Sequence, residues 1–461
     1  MTESCVPLDQ YKNCATLRST VDDKPTNYET TRPNVDENME DKKLCIAMFV
    51  GTFPIYSETF ISRKIDYLVQ QGHDVHVFCH HFDRSMPNAD AYKKIVHQLK
   101  SVSGDKFKHF CPSENLARIA VRSEQCFHLC GNLLKTALYD ARSLRKIFRT
   151  GSNVRRFWQL LNLSASSFFA RNWDIVHCHY LINVGMIQEI RSEIACPIIA
   201  SVYGHDATVF PYTSSQNFAD VQAWIKQVDG LIYSSEFLRQ ETQKIASTKG
   251  LSEGIIHPET PTDLFLPCTR ESLHTPLRIL SVGRLHWTKG YSVALKAMEI
   301  LRERNVDFQY RVIGEGEVEA RSELEYLIRN RGLHDNVSLD GRKKPEEVSE
   351  AMQWADVFLL PSVREDFGVV LTEAQASGLP IVASRVGGVP EATNEGQTSL
   401  LVEPGNPVAF ADALQKICHD TALFCRMSTQ GPIFAQKFDT NVSGKQLEQF
   451  YNECIAHQKN G

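Results

Sequence analysis

The chain has 461 residues, beyond the size at which one hydrophobic core keeps growing, so two domains are expected. Its 50 Lys and Arg against 55 Asp and Glu give a formal charge of -5, which argues against a dedicated nucleic-acid binder, and 42% apolar residues is an ordinary globular content. The 13 cysteines are scattered, and the nearest sets, Cys126/Cys130 and Cys418/Cys425, lack the paired spacing of a zinc site, as expected of thiols in a reducing cytosol.

Residues 1–42 are polar and without periodicity, and they read as a disordered leader with neither a secretory signal nor a membrane-spanning run. From residue 43 short apolar runs end in Gly, Pro, Ser or His and are separated by helix-length segments. The runs are Leu44 to Val50, Val75 to His80, Ile175 to His179, Pro197 to Val202, Leu231 to Ser234 and Ile255 to Pro258. Runs without alternation predict strands buried on both faces of a parallel sheet. After a stretch holding Pro258, Pro261, Pro267 and Pro276 the rhythm restarts with Leu277 to Val282, Tyr310 to Ile313, Val337 to Leu339, Val357 to Leu360, Ile381 to Ala383 and Leu400 to Val402. The pattern predicts an α/β protein of two Rossmann-like domains facing a cleft, over 43–258 and 277–433, joined by a 259–276 linker. The last segment, 434–461, has helical spacing and no strand after it, which suits a helix returning to the first domain.

Residues 106–171 differ from their surroundings. Basic residues such as Lys106, Arg118, Arg142, Arg145, Lys146 and Arg156 alternate with Leu133, Leu134, Phe148, Phe157, Trp158 and Leu160. The pattern is that of a basic amphipathic helix pair, which can rest peripherally on an anionic membrane surface or simply present a solvated face over a core.

The segment Leu359 to Glu391, LLPSVREDFGVVLTEAQASGLPIVASRVGGVPE, has the richest chemistry. A buried strand ends at Pro361, a loop carries Arg364, Glu365 and Asp366, and a helix begins near Gly368 and stops at Gly378. Glu365 then stands above the sheet, with Glu373 about a turn and a half into the helix. The helix start offers free N–H groups and partial positive charge for a phosphate, and Gly368 has no side chain to hold an anion off. In Ser281 to Gly290, SVGRLHWTKG, Arg284 and Lys289 follow a strand on the same sheet edge, where two cations can neutralise a diphosphate leaving group. His177 and His179 share one face of a strand end, but no further ligands complete a metal site, and packing or an acceptor-facing role is favoured. No Asp-x-Asp occurs to hold a metal-bridged diphosphate.

SVGRLHWTKG, VIGEGEVEARSELE and PSVREDFGVVLTEAQASGLPIVASRVGGVPE together resemble the donor domain of glycosyltransferase family 4, strongly over 277–405 and weakly in the first domain. The resemblance implies the GT-B fold, retention of anomeric configuration and no metal or other cofactor, with a nucleotide diphosphate sugar as co-substrate and a hydroxyl acceptor. It implies that Glu365 touches the transferred sugar, Glu373 the ribose, Arg284 and Lys289 the diphosphate, and the amides of Phe367 and Gly368 a phosphate. Asp366 stands where Gly is usual. GTFPIYSETFISRKIDYLVQQGHDVHVF is similar to an FP-SETFI turn in members that build exopolysaccharides, which brings Ser57, Glu58 and Thr59 to the cleft or, more simply, to a helix cap. SVYGHDAT corresponds to the family's His-Gly-x-Asp stretch, with Tyr203 in place of His, His205 nearby, and Asp206 as a site residue or a cap. The rival readings are a sugar-nucleotide epimerase on the same fold, which needs no acceptor, and a non-catalytic binding subunit, which would be expected to lack the intact Arg284, Lys289, Glu365 and Glu373 set. A phosphorylase lacks any marked pyridoxal-phosphate lysine.

Overall fold

The computed structural model describes residues 42–55, 58–86, 88–99, 154–268, 270 and 272–460. Ser57 and residues 106–153 of the basic segment lie outside them.

The first sheet contains β1 (Cys45–Phe53), β2 (Asp74–Phe82), β3 (Val96–Gln98), β4 (Ile175–His179), β5 (Ile198–Val202), β6 (Gly230–Tyr233) and β7 (Ser252–Ile255). They pair in parallel in the order β3-β2-β1-β4-β5-β6-β7. The second contains β8 (Leu277–Val282), β9 (Phe308–Ile313), β10 (Val337–Gly341), β11 (Val357–Leu360), β12 (Ile381–Ser384) and β13 (Ser399–Val402). Its parallel order is β10-β9-β8-β11-β12-β13. In each sheet the strand order reverses once, between β1 and β4 and between β8 and β11, and a crevice opens there at the carboxyl ends.

Burial on both faces explains the unbroken apolar runs. Every residue of β4 is 0% exposed and β11 reaches at most 1%, because helices cover each sheet on both sides. Phe49, Phe78 and Phe168 pack ring on ring, with centroids 5.1 to 5.8 Å apart. At the two edges the sequence pattern misleads. The run Ile255 to Pro258 is mostly coil, and the strand is the less apolar Ser252–Ile255 before it, while the three-residue β3 has no apolar run at all. Edge strands bury less of their surface and need no continuous hydrophobic stretch.

Within the described part of the basic segment the apolar face is already used. Phe157, Leu160, Leu161 and Leu163 are at most 4% exposed in the first domain's core, and Arg156 pairs with Glu193 at 2.8 Å. The membrane reading therefore fails for that part. No described helix is long and apolar enough to cross a membrane.

After Phe438 the helix Thr440–Asn460 returns to the first domain. Its Leu447, Phe450, Tyr451, Cys454 and Ile455 join the core around Ile46, Ile65 and Leu68, and Tyr67 Oη donates to Glu448 at 2.8 Å. Phe450 lies where a Cβ on Gly254 would come within 2.9 Å, so the glycine lets this helix sit against the sheet.

Candidate active site

The two loops after β8 and β11 pack backbone to backbone. Gly290 has φ +67, and a Cβ there would lie 1.9 Å from the Pro361 carbonyl, so only glycine permits the approach. The Val363 amide donates to the Thr288 carbonyl at 2.8 Å and ties the loops together. This sets Lys289 Nζ 2.6 Å from Glu365 Oε2, which also accepts from Ser362 Oγ at 3.3 Å. On the other side Gly387 has a positive φ, and a Cβ there would meet the Glu365 carbonyl at 1.8 Å. The loop carrying Glu365 is thus clamped between two glycines.

Gly368, with φ +90, is the N-cap of the helix Val369–Ala376 and uses no side chain to cap it. No side chain caps the first amides of that helix, which leaves its N-terminus able to take an anion. Phe367 beside it is 3% exposed and stacks on His257 of the segment leading out of the first domain, at 4.9 Å and 16°. Arg284 follows Gly283 on an exposed turn, and its guanidinium has no hydrogen-bond partner among the described residues. Arg284, Lys289, Glu365, Phe367, Gly368 and Glu373 therefore lie along one rim, at the switch point of the second sheet.

Charge in this rim is unbalanced by burial. Desolvation pushes the Asp366 carboxyl up to about 6, with Glu365 and Asp206 adding to the shift and Arg364 and a hydrogen bond from Thr208 opposing it. Glu373 keeps part of its surface accessible yet lies deep between the domains. That burial pushes its carboxyl up to about 7, against the pull of the Arg63 guanidinium. Arg364 has a buried Nη2 without a hydrogen-bond partner.

The first domain supplies the facing wall. Glu58 occupies the N-cap position of the helix Thr59–Gln70 but makes no cap hydrogen bond, which overturns the capping reading for this residue. Its Oε1 instead accepts from Tyr180 Oη at 3.1 Å, at the carboxyl end of β4. Thr59 is the first helical residue. His179 is fully buried, and its Nδ1 meets Tyr203 Oη at 2.9 Å, while Lys64 Nζ donates to the same oxygen at 3.3 Å. Tyr203 thus belongs to a buried polar network beneath the cleft. His177 lies deeper still, between Ser201 Oγ at 2.7 Å and Tyr451 Oη at 2.8 Å. Burial holds both imidazoles well below the usual range, hence neutral.

Asp206 is neither a cap nor exposed. It is 1% exposed and accepts from the amides of Leu181 at 2.7 Å, Gly204 at 3.2 Å and Tyr203 at 3.3 Å, which ties the β4 and β5 turns together. His205 starts the short helix His205–Thr208, points to solvent and packs loosely near Phe210, so the structure does not bring it to the other candidates.

Further contacts close the cleft, one from Asp366 and others from residues that the sequence does not single out. Asp366 reaches toward the first domain: a Cβ on Gly204 would stand 1.9 Å from its Oδ2, Thr208 Oγ1 donates to its Oδ1 at 3.4 Å, and Ser235 Oγ to its carbonyl at 2.8 Å. The Glu391 carboxylate accepts from the amides of Glu236 at 2.6 Å and Phe237 at 3.1 Å, the start of the helix Glu236–Ile245. Glu391 falls inside the glycine-rich segment quoted above, yet nothing in the spacing tells that its partner is in the other domain.

Comparison with known proteins agrees with this geometry. A model described as glycosyl transferases group 1 matches residues 270–432, and one described as Glycosyltransferase Family 4 matches 57–249. The amylovoran biosynthesis glycosyltransferase AmsK of Erwinia amylovora is 40% identical over 394 residues, 82% of this chain and 91% of that protein. A D-inositol 3-phosphate glycosyltransferase of Corynebacterium glutamicum is 28% identical over 309 residues, 62% of this chain and 73% of its own. Among solved structures, sucrose-phosphate synthase from Thermosynechococcus elongatus matches with a TM-score of 0.66 at 19% identity, over 89% of this chain and 99% of that one. Anabaena HepE in complex with UDP matches with a TM-score of 0.64 at 13% identity, over 88% and 98%. With two parallel-sheet domains, a shared rim and a 40% identical relative matched over nearly its whole length, the chain belongs to glycosyltransferase family 4 and has the GT-B fold.

Proposed function

We propose that this glycosyltransferase moves a hexose from a nucleoside diphosphate sugar to a glycan hydroxyl, with retention at the anomeric carbon and without a metal. The observation that carries the reading is the Lys289–Glu365 contact of 2.6 Å beside the Gly368 helix start, at the carboxyl edge of the second sheet. HepE has been solved with UDP and with UDP-glucose, which favours a uridine donor here. The name of AmsK, an amylovoran biosynthesis glycosyltransferase, together with the FP-SETFI turn, favours a glycan as acceptor.

In this reading Glu373 accepts hydrogen bonds from the ribose hydroxyls, and Arg284, Lys289 and the helix amides hold the diphosphate. The bond between the anomeric carbon and the phosphate oxygen breaks, with the electron pair leaving on the diphosphate. Lys289 and Arg284 stabilise that charge in place of a metal ion. The acceptor oxygen bonds to the same face of the anomeric carbon, and its proton passes to the departing phosphate oxygen. Glu365 stabilises the positive charge that develops on the sugar ring. The Asp366 carboxylate, turned toward Gly204, closes the sugar end of the pocket rather than entering it. Catalysis is then positioning plus a pre-arranged field.

A thermal-shift screen against UDP-, GDP- and ADP-sugars tests the donor half. A ligand at 100 times its Kd adds about 2.7 kcal/mol to the native state, which raises Tm by several degrees. UDP-sugars are expected to give the largest rise, and no rise with any nucleotide sugar contradicts the proposal.

A further inference from the structure

The first three amides of the helix Glu236–Ile245, in the first domain, find their acceptors in side chains. The Leu238 amide donates to the hydroxyl of the N-cap residue Ser235 at 3.3 Å. The other two cross to the second domain, where the Glu391 carboxylate takes Glu236 on Oε2 at 2.6 Å and Phe237 on Oε1 at 3.1 Å. Each oxygen has its own amide, so the carboxylate is fixed in one orientation. It also meets the positive end of the helix dipole. Ser235 is a second crossing point, since its hydroxyl donates to the Asp366 carbonyl at 2.8 Å. This helix start is satisfied only with the second domain against it.

Glu391 belongs to the short helix Val389–Ala392, and the turn before that helix backs the Glu365 loop. The Gly388 amide donates to the Glu365 carbonyl at 3.2 Å. A Cβ on Gly388 would lie 2.3 Å from the Asp366 carbonyl and 3.0 Å from the Cβ of Ser235, so the turn is wedged between the loop and the first domain. Behind it Gln375, buried in the helix Val369–Ala376, donates to the Ala392 carbonyl at 2.7 Å. At its other end the loop is tied by the Val363 amide to the Thr288 carbonyl. One fastening of the loop thus stays within the second domain. The other runs through Gly388 and Glu391 to the first.

We infer that Glu391 is a positioning residue: anchored on the first-domain helix, it holds the turn at Gly387 and Gly388 against the loop of Glu365, so that the first domain sets where the Glu365 carboxylate stands. This rests on the reading that Glu365 stabilises the charge developing on the sugar. Sugar transfer is then coupled to the docking of the two domains through one carboxylate. Donor binding is not, because the phosphate and ribose contacts proposed above all come from the second domain. A carboxylate suits the place because two amides need two acceptor oxygens, and a glutamine side chain offers one.

Glu236→Pro removes one of the two donors from the first-domain side. Position 236 opens the helix, where proline is favoured and no intrahelical bond is lost, and Ser235, extended at φ -159 and ψ 158, suits the residue before a proline. Glu236→Ala is its reference, because it also loses the side-chain bonds from Arg239 but keeps the amide. Hydrogen exchange read by mass spectrometry reports on the loop. The Val363 and Gly388 amides are expected to exchange about tenfold faster in Glu236→Pro than in Glu236→Ala, and in Glu391→Gln than in wild type, with β11 within about twofold. Unchanged exchange in the loop, or a rise shared equally by β11, overturns the inference. UDP release from UDP-glucose, with water as acceptor, is expected to fall about 10- to 100-fold in Glu236→Pro and Glu391→Gln, while UDP affinity by calorimetry stays within about threefold. A loosened loop with wild-type turnover overturns the positioning role. Glu365→Gln separates the two ideas: if it releases UDP at the wild-type rate, the Glu365 reading itself is wrong. If it is slow and the Glu236→Pro and Glu391→Gln variants are not, only the Glu391 role fails.

Discussion

Glu365→Gln is expected to lower sugar transfer about 10³-fold while leaving the fold and the donor affinity nearly unchanged. The side chain is isosteric, so the loop clamped between Gly290 and Gly387 keeps its shape. What disappears is the contact with Lys289 at 2.6 Å and, in the proposed mechanism, a negative charge beside the anomeric carbon. Lys289 and Glu365 are only 20% and 13% exposed, and the Gln amide oxygen keeps an acceptor for the ammonium, which limits the loss of stability. In the free enzyme Glu365 competes for the ammonium that the diphosphate needs. Releasing it holds the donor affinity up while the transition state loses its carboxylate. A turnover number within about tenfold of wild type, at unchanged Tm, removes Glu365 from the centre of the site.

Glu373→Gln is expected to weaken donor binding about 100-fold and, at the same time, to stabilise the free protein at pH 8. The carboxyl is raised from 4.5 to about 7 in the folded chain. A carboxyl raised in the folded state binds its proton more tightly there than when unfolded. The free protein therefore loses stability as pH rises from about 4.5 to about 7, and the loss is complete above that. A neutral amide escapes it, by roughly 1 to 3 kcal/mol at pH 8 after allowing for partial solvent contact, and gains nothing near pH 4 where both forms are neutral. Denaturant melts at the two pH values, with UDP-sugar affinity in parallel, check both halves. A variant that is less stable than wild type at pH 8 contradicts the picture of a desolvated, function-bearing carboxylate.

Much of this is legible in the sequence itself. Central parallel strands announce themselves because both faces are buried, and β4, β8 and β11 coincide with the apolar runs. Arg284, Lys289, Glu365 and Glu373 stand out because they follow strand ends and begin helices, a relation that is local in sequence. Relations between distant segments were not legible. Glu58 looks like a cap because its neighbours are Ser and Thr, but its partner Tyr180 is 122 residues on. The returning helix shows its apolar spacing, yet nothing in it names His177, which Tyr451 meets across 274 residues. Asp366 reads only as a departure from the usual glycine. Its approach to Gly204 of the other domain, across 162 residues, is visible only in the fold. At the edges of the first sheet β3 goes unread and β7 is shifted, because half-exposed strands need no run of apolar residues, whereas β10 and β13 at the edges of the second sheet do carry one.

The most direct measurement of the central claim is a crystal structure with UDP bound. The account predicts the diphosphate within hydrogen-bond distance of Lys289, Arg284 and the amides around Phe367 and Gly368, with the ribose hydroxyls on Glu373 and the Lys289–Glu365 contact loosened. UDP ordered elsewhere in the molecule, or a ribose that leaves Glu373 untouched, would contradict it.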